Sequence, residues 1–264
     1  MKTLKVLIGV IMFILSIYLF SYFRYKDTAF ILVYHRIDKY SGGLRSLYVS
    51  PEVFEKQMKY LHFRGYKCIS LDELVRRLKD KEKINKVFCI TFDDGYADIK
   101  NAYEVLKKLG FKATVYLHME AVKIGEYAYP HMPSAKMLNI DDLKEMKDVF
   151  YVGSHSVSHP DMSVLEKNDV VYEVSVSKRE LENTFHKEIK HFCYPYGKVF
   201  KDYQQILQYS GYESAVTLKS DFIKLTDEID LYQLPRIEWK HISSMSIKDF
   251  LKNFEFYLKI LCGV

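Results

Sequence analysis

The chain has 264 residues, 48% of them hydrophobic and 28% charged, with 11 Gly, 6 Pro and 4 Cys. It is too apolar for a disordered chain, too poor in Gly and Pro for a low-complexity one, and too poor in Cys for a disulfide scaffold. The 39 Lys and Arg against 34 Asp and Glu leave a formal charge of +5 with no dense basic block, so no nucleic-acid partner is expected.

The first element is apolar. Residues 6–23 carry no charge and are flanked by Lys2 and Lys5 on one side and Arg24 and Lys26 on the other. At 1.5 Å per residue such a helix covers roughly 27 Å, close to the hydrocarbon thickness of a bilayer. Ser21 is followed by Tyr22, Phe23 and Arg24, so the small-x-small pattern of a cleaved signal peptide is missing. We expect a retained single-pass anchor over residues 1–26 in the cell membrane, and a domain over 27–264 outside the cytoplasm. His35 then lies twelve residues beyond the apolar run, which puts it near the bilayer.

The remaining elements alternate. Strands are expected at 29–34, 86–91, 112–117, 150–153, 191–194 and 214–217, with a weaker one at 231–237 that Pro235 interrupts. Helices are expected at 51–65, 71–78, 98–109, 140–147, 168–185, 203–211 and 247–261, with Asn139 as an N-cap and Gly65 and Gly110 as stops. Strand-helix alternation at this spacing argues for an α/β fold with a parallel sheet, open or closed into a barrel. Loops at the carboxyl ends of the strands then build the site.

Three strand ends carry polar residues. Thr91-Phe92-Asp93-Asp94-Gly95 sets two carboxylates side by side, which repel unless a cation or hydrogen bonds compensate; alone, the run reads more simply as an N-cap plus a solvated turn. His155-Ser156-Val157-Ser158-His159 places two His at i and i+4, able to share a helix face and one metal ion. Tyr194-Pro195-Tyr196-Gly197 is a turn that can aim a backbone N–H at a ligand. Together, one Asp and two His on successive strand ends supply three ligands and leave positions open, the pattern of a catalytic metal site. The second carboxylate is then free to act as a base.

TFDDG, HSVSHP and YPYG, in this order and at these distances, resemble the first three motifs of the polysaccharide deacetylases, carbohydrate esterase family 4. The resemblance runs from about Lys86 to at least Gly197. It implies a distorted (β/α)7 barrel, one divalent metal ion (zinc foremost, with Co2+, Ni2+ or Mn2+ as alternatives), and hydrolysis of the N-acetyl group of N-acetylglucosamine units in a glycan. By the motif match Asp94, His155 and His159 hold the metal, Asp93 is the general base, and the backbone N–H of Tyr196 helps bind the oxyanion. Two departures matter: Cys193 stands where the family carries an Arg, and the usual C-terminal Leu-x-His is missing. The end of the first strand, Leu32-Val33-Tyr34-His35-Arg36, resembles instead the circularly permuted branch that deacetylates poly-N-acetylglucosamine in biofilm matrices. His35 becomes the general acid, and Leu234-Pro235-Arg236 matches a tail motif of that branch. Arg236 is thereby a candidate for the positive charge that Cys193 cannot supply.

The favoured substrate is extracellular poly-β-1,6-GlcNAc; peptidoglycan and an inactive glycan-binding relative are the alternatives. His62, His118, His131, His186, His191 and His241 lack paired spacing and read as structural or surface residues, with His118 placed to line a groove. Trp239 reads equally as a sugar platform and as core. Cys89 and Cys193 read as small hydrophobes within strands.

Overall fold

The computed structural model describes residues 2–129, 132–225, 228–239 and 254–262. Helix α1 (Lys2–Tyr25) leads after two residues into strand β1 (Thr28–Tyr34). Residues Val6–Tyr25 are long and apolar enough to cross a membrane, and only 6% of that stretch is buried in the fold. Every residue of β1 is buried, as its unbroken apolar run requires.

Six more strands run parallel to β1: β2 (Lys67–Cys68), β3 (Val87–Phe92), β4 (Ala113–Leu117), β5 (Phe150–Ser154), β6 (His191–Cys193) and β7 (Ser214–Val216). The sheet order is β7-β6-β5-β4-β3-β1, with β2 paired to the start of β3. On the far edge of β1, β8 (Ile223–Lys224) pairs antiparallel with Thr28 and Ala29, and β9 (Ile237–Glu238) pairs parallel with Leu32 and Val33. Leu234 bridges to Val216 of β7. Residues 234–238 therefore join β7 to β1 and close a distorted α/β barrel whose last strand is broken. The expected strand over 231–237 is realised as a 3-10 turn (Leu231–Gln233), the Leu234 bridge and β9, because Pro235 has no N–H for the ladder.

The helices are α2 (Pro51–Phe63), α3 (Leu71–Lys79), α4 (Lys100–Leu109), α5 (Met119–Ile124), α6 (Ile140–Glu145), α7 (Lys167–Phe185), α8 (Tyr203–Tyr209) and α9 (Phe254–Cys262). Ser50, Ser70 and Asn139 cap α2, α3 and α6 by accepting from backbone N–H groups of the first turn. The helix expected from 98 begins as a 3-10 turn over Ala97–Ile99 before α4. Of the helix expected over 247–261, residues 247–253 lie outside the described residues.

Side-chain alternation along the strands makes two cores. Phe30, Leu32 and Tyr34 of β1 and Phe88, Ile90 and Phe92 of β3 join the larger core with α2, α4 and α7. Ala29, Ile31, Val87, Cys89, Tyr116, Cys193 and Val216 form the inner core, which Leu71, Leu74, Val75 and Leu78 of α3 complete. Positions 87, 89, 91 and 93 share one side of the chain, so continuing β3 by one step carries Asp93 into the barrel mouth. His35 stands at the opposite end of β1 from α1, roughly 23 Å away at 3.3 Å per strand residue. Its closeness to the apolar run in sequence does not become closeness in space.

Candidate active site

The site assembles at the carboxyl ends of β1, β3, β5 and β6. Asp93 follows β3, and its N–H donates to the Tyr34 carbonyl at 2.9 Å, tying the end of β3 to that of β1. Its carboxylate is buried and meets Arg236 through a two-pronged pair, Nη1 to Oδ1 at 2.6 Å and Nη2 to Oδ2 at 2.7 Å. Arg236 is itself 1% exposed; its Nε donates to the Thr217 carbonyl at 2.9 Å and its Nη1 to Thr91 Oγ1 at 3.1 Å. Burial would raise the Asp93 pKa, but the charge and hydrogen bonds of Arg236 outweigh it and hold the carboxyl below its ordinary value. Asp93 is thus kept ionised in a dry setting. Cys193, the departure from the family's Arg, lies 3.5 Å from Asp93 Oδ2 and 3.2 Å from Arg236 Nη2. Arg236, from the closing strand, occupies the space beside Asp93 that a small residue at 193 leaves.

His35 also stands beside Asp93, with Nε2 3.9 Å from Oδ2. Its position is set by its neighbours: Arg36 Nε donates to Asp98 Oδ2 at 2.7 Å, and the Ile37 N–H donates to Asp98 Oδ1 at 3.1 Å. The Arg36 guanidinium also lies over the rings of Tyr48 and Tyr96.

Asp94, His155 and His159 form a buried group whose ligand atoms lie within 4.8 Å of one another. His155 Nε2 and His159 Nε2 stand 3.5 and 3.4 Å from Asp94 Oδ1. A tetrahedral zinc ion with ligands at about 2.0–2.1 Å has ligand-to-ligand edges of about 3.3 Å, so these donors fit a cation of that size. His155 Nδ1 lies 2.8 Å from the Cys193 carbonyl, which makes Nδ1 the donor and leaves Nε2 as the atom able to hold a metal. Burial and the neighbouring His155 push His159 down to about 3, so its ring is neutral, the form that binds metal. Burial works against charge on His155, but Cys193 and the Asp94 and Asp93 carboxylates outweigh it and raise that pKa well above the usual. Asp93, His155 and Cys193 make a second group of similar compactness. Arg236 already neutralises Asp93 there and would repel a cation, so Asp94, His155 and His159 are the better set.

The two His do not share a helix face. His155 follows β5, and His159 lies in an irregular loop, with Ser156 and His159 at φ of 72° and 58°. Ser156 Oγ accepts the His159 N–H at 2.9 Å, folding the loop so that both rings meet. From α7, the buried Glu173 accepts the N–H groups of Val157 and Ser158 at 2.8 and 3.0 Å and the Ser158 hydroxyl at 2.7 Å.

The sequence profile of the polysaccharide deacetylase family matches residues 80–215, just over half of the chain. The chain belongs to the polysaccharide deacetylase family. YxkH of Bacillus subtilis is 34% identical over 190 residues, which cover 71% of this chain and 63%, a little under two thirds, of that relative. The poly-beta-1,6-N-acetyl-D-glucosamine N-deacetylase of Staphylococcus aureus (strain MRSA252) is 26% identical over 239 residues, 81% of this chain and 80% of the relative. Among solved structures, the Streptococcus pyogenes deacetylase PplD in complex with acetate aligns with a TM-score of 0.72 and 28% identity, covering 85% of this chain and 97% of that one.

In this deacetylase domain Tyr196 sits in a 3-10 turn (Pro195–Gly197) at φ 58°, with its ring 4.7 Å from that of His159 and its side chain 48% exposed. The turn is closed by Gly197 N–H to the Tyr194 carbonyl and Lys198 N–H to the Pro195 carbonyl, so the turn itself does not use the Tyr196 N–H. The structure thus brings together all seven residues singled out from the sequence. His118 caps α5, where its Nδ1 accepts the Ala121 N–H at 3.4 Å, and its ring stands 5.6 Å from that of His159. Burial pushes it down to about 4, so it is neutral. Trp239 is half-buried and packs against Tyr60 and Phe256 at the border of the larger core. His191 is bonded to Ser214 and Asp72, and His62 and His186 are exposed; His131 and His241 lie outside the described residues. Cys89 and Cys193 belong to the inner core.

Glu173 and Asp98 were not found from sequence. Glu173 left a signal, since it lies three residues after Val170 on the face of α7 that also buries Val174 and Leu181. Asp98 left none, because an acid at a helix start reads as a cap.

Proposed function

We propose that this chain is a metal-dependent polysaccharide N-deacetylase that removes acetyl groups from N-acetylglucosamine units of an extracellular polymer, with poly-β-1,6-GlcNAc favoured. The observation that carries the reading is the apposition of an ionised, Arg-paired Asp93 and His35 beside the Asp94, His155 and His159 donor set. The Staphylococcus aureus relative supports the polymer, and the family supports the reaction class.

Amide hydrolysis needs an activated water, stabilised charge on the carbonyl oxygen and a proton for the amine that leaves. Asp94, His155 and His159 would hold a divalent cation, with zinc favoured by the donor set, which would supply Lewis acidity toward the carbonyl and the attacking water. Asp93 accepts the water's proton as general base, and Arg236 keeps it ionised for that task. The Tyr196 N–H donates to the developing oxyanion. His35, beside Asp93, donates a proton to the departing nitrogen. The Nε2–Oδ2 gap of 3.9 Å is too long for a direct hydrogen bond and leaves the two groups separate for base and acid. Helix α1 serves as a retained membrane anchor, with the catalytic domain outside the cytoplasm.

The test is acetate release by the full chain in detergent on β-1,6-GlcNAc oligomers and on peptidoglycan side by side, with and without chelator. The reading expects chelator-sensitive release, faster on the oligomers. Faster release from peptidoglycan reassigns the polymer, and chelator-insensitive release refutes the metal role.

A further inference from the structure

The amino ends of the barrel strands, opposite the active site, form a face of their own. Helices α2, α3, α4, α6, α7 and α8 all end there, and α1 reaches the barrel there. The segments that lead into β1–β7 at this end, residues 24–27, 64–67, 72–86, 107–112, 144–148, 187–190 and 210–213, hold 17 Lys and Arg against 9 Asp and Glu. The rest of the chain holds 22 against 25. The chain's modest excess of +5 therefore hides a separation: one face is strongly basic, and the remainder is slightly acidic. Lys67, Lys83, Lys108, Lys144, Lys147 and Lys187 are exposed on it.

A second observation concerns aromatic residues. Phe63 and Tyr209, each 85% exposed, are the most exposed large apolar side chains in the described structure, and both lie at this end. Phe63 is the last residue of α2 and Tyr209 the last of α8. Phe63 is also tied to the anchor through a short chain of contacts. Lys259 of α9, fully buried, donates to the carbonyls of Tyr25, the last residue of α1, and of Thr28. The carbonyl of the next residue, Ile260, accepts the hydroxyl of Tyr60 at 3.0 Å, and Tyr60 lies one turn before Phe63.

From this we infer that the amino-end face docks on the anionic phospholipid headgroups of the bilayer that α1 enters, with Phe63 in the interface. Basic side chains share this end of the barrel with the point where the anchor emerges, where an anionic surface attracts them most. An aromatic ring at headgroup depth is favoured on the same side. The barrel then stands upright on the membrane, with the catalytic mouth one strand length away from it and open to polymer in the aqueous space. The inference rests on α1 being a retained anchor.

The full chain carrying Phe63→Trp is reconstituted into vesicles containing brominated phosphatidylcholine, with or without phosphatidylglycerol. Emission is read against the parent protein, whose only Trp is Trp239. The added emission should be quenched about twofold in the anionic vesicles and little in the neutral ones. Raising salt from about 0.1 to about 0.5 M should relieve it, because screening shortens the reach of the lysines. Replacing Lys67, Lys108, Lys144 and Lys147 by Gln should abolish the quenching, and replacing them by Arg should preserve it, with acetate release from soluble oligomers unchanged in both. Equal quenching in the two lipids, none in either, or retention in the Gln variant overturns the inference. So does relief of quenching by a soluble wall-type polyphosphate at matched ionic strength, which would assign the face to that polymer. Protein that fails to float with vesicles refutes the anchor as well; floating protein whose added indole stays unquenched refutes only the docking.

Discussion

The two ends of one barrel treat charge in opposite ways. At the carboxyl end Asp93, Asp94, His155, His159 and Arg236 are all buried, and each charge has a fixed partner within hydrogen-bond or ligand distance. At the amino end Lys67, Lys108, Lys144 and Lys147 stand in solvent. Water screens the second set, so any one member matters little. The first set has lost its water, and a missing partner leaves a bare buried charge. Ionisable side chains therefore make a compact, closely partnered site at one end and a diffuse electrostatic surface at the other. Burial decides which.

The largest expected effect follows from taking the Asp93 charge away. Asp93→Asn should lower acetate release by about 10²–10⁴-fold, the usual worth of a general base. It also leaves the Arg236 guanidinium without its anion, which should cost on the order of 3–5 kcal/mol in denaturant unfolding. A variant that unfolds like the parent would show that the pair is not the buried unit described.

Arg236→Met probes the same pair from the other side. Its unfolding cost should be comparable, about 3–5 kcal/mol. Asp93 would lose the partner that holds its pKa down, and burial would then raise it. The acid limb of the pH–rate profile should move to higher pH. In the parent, the stability that Asp93 draws from Arg236 is present above the ordinary carboxylate pKa and fades as pH falls through the lower folded value. An unmoved acid limb in the Met variant would separate Arg236 from the ionisation of Asp93.

Glu173→Ala removes three hydrogen bonds from the His155–His159 loop without touching a ligand. We expect a loss of about 1–3 kcal/mol in stability and about 10–100-fold in zinc affinity by metal titration. Unchanged affinity would mean that the loop holds its shape without α7.

Lys259 tests the link between α1 and the barrel. Burial brings it down to about 7 from an ordinary 10.5. Between those values the unfolded chain holds a proton that the folded one has released, so the stability of the parent should rise with pH across that window. Lys259→Met should lack this slope, read by unfolding at about pH 7 and about pH 10. Smallest of all, Lys108→Gln at the amino end should change stability by no more than about 0.5 kcal/mol and leave acetate release from soluble oligomers alone.

Much of the site was legible along the chain because its residues cluster at strand ends. TFDDG and HSVSHP each sit within one short segment, where spacing is informative, and the alternation along β3 already points Asp93 inward. The helical reading of His155 and His159 failed for a local reason. Ser156 and His159 adopt left-handed backbone conformations, a cost that Glu173 and Ser156 Oγ offset, and neither contact is written in the i, i+4 spacing. Glu173 itself was missed because an acid in a long helix reads as solvated until the face it occupies is known to be buried.

Local pattern was enough to establish the apolar first helix, the alternating α/β order, a candidate group of one Asp and two His at strand ends, and the place of His35 at the end of β1. These depend on periodicity and on neighbours a few residues apart. Arg236 was a candidate by resemblance, and tertiary structure decided that it neutralises Asp93 across 143 positions, that a strand broken at Pro235 closes the barrel, and that basic segments share the end opposite the site. Each depends on which distant segments share a volume from which water is excluded. A balance of +5 over the whole chain cannot show how its charges are divided between two faces.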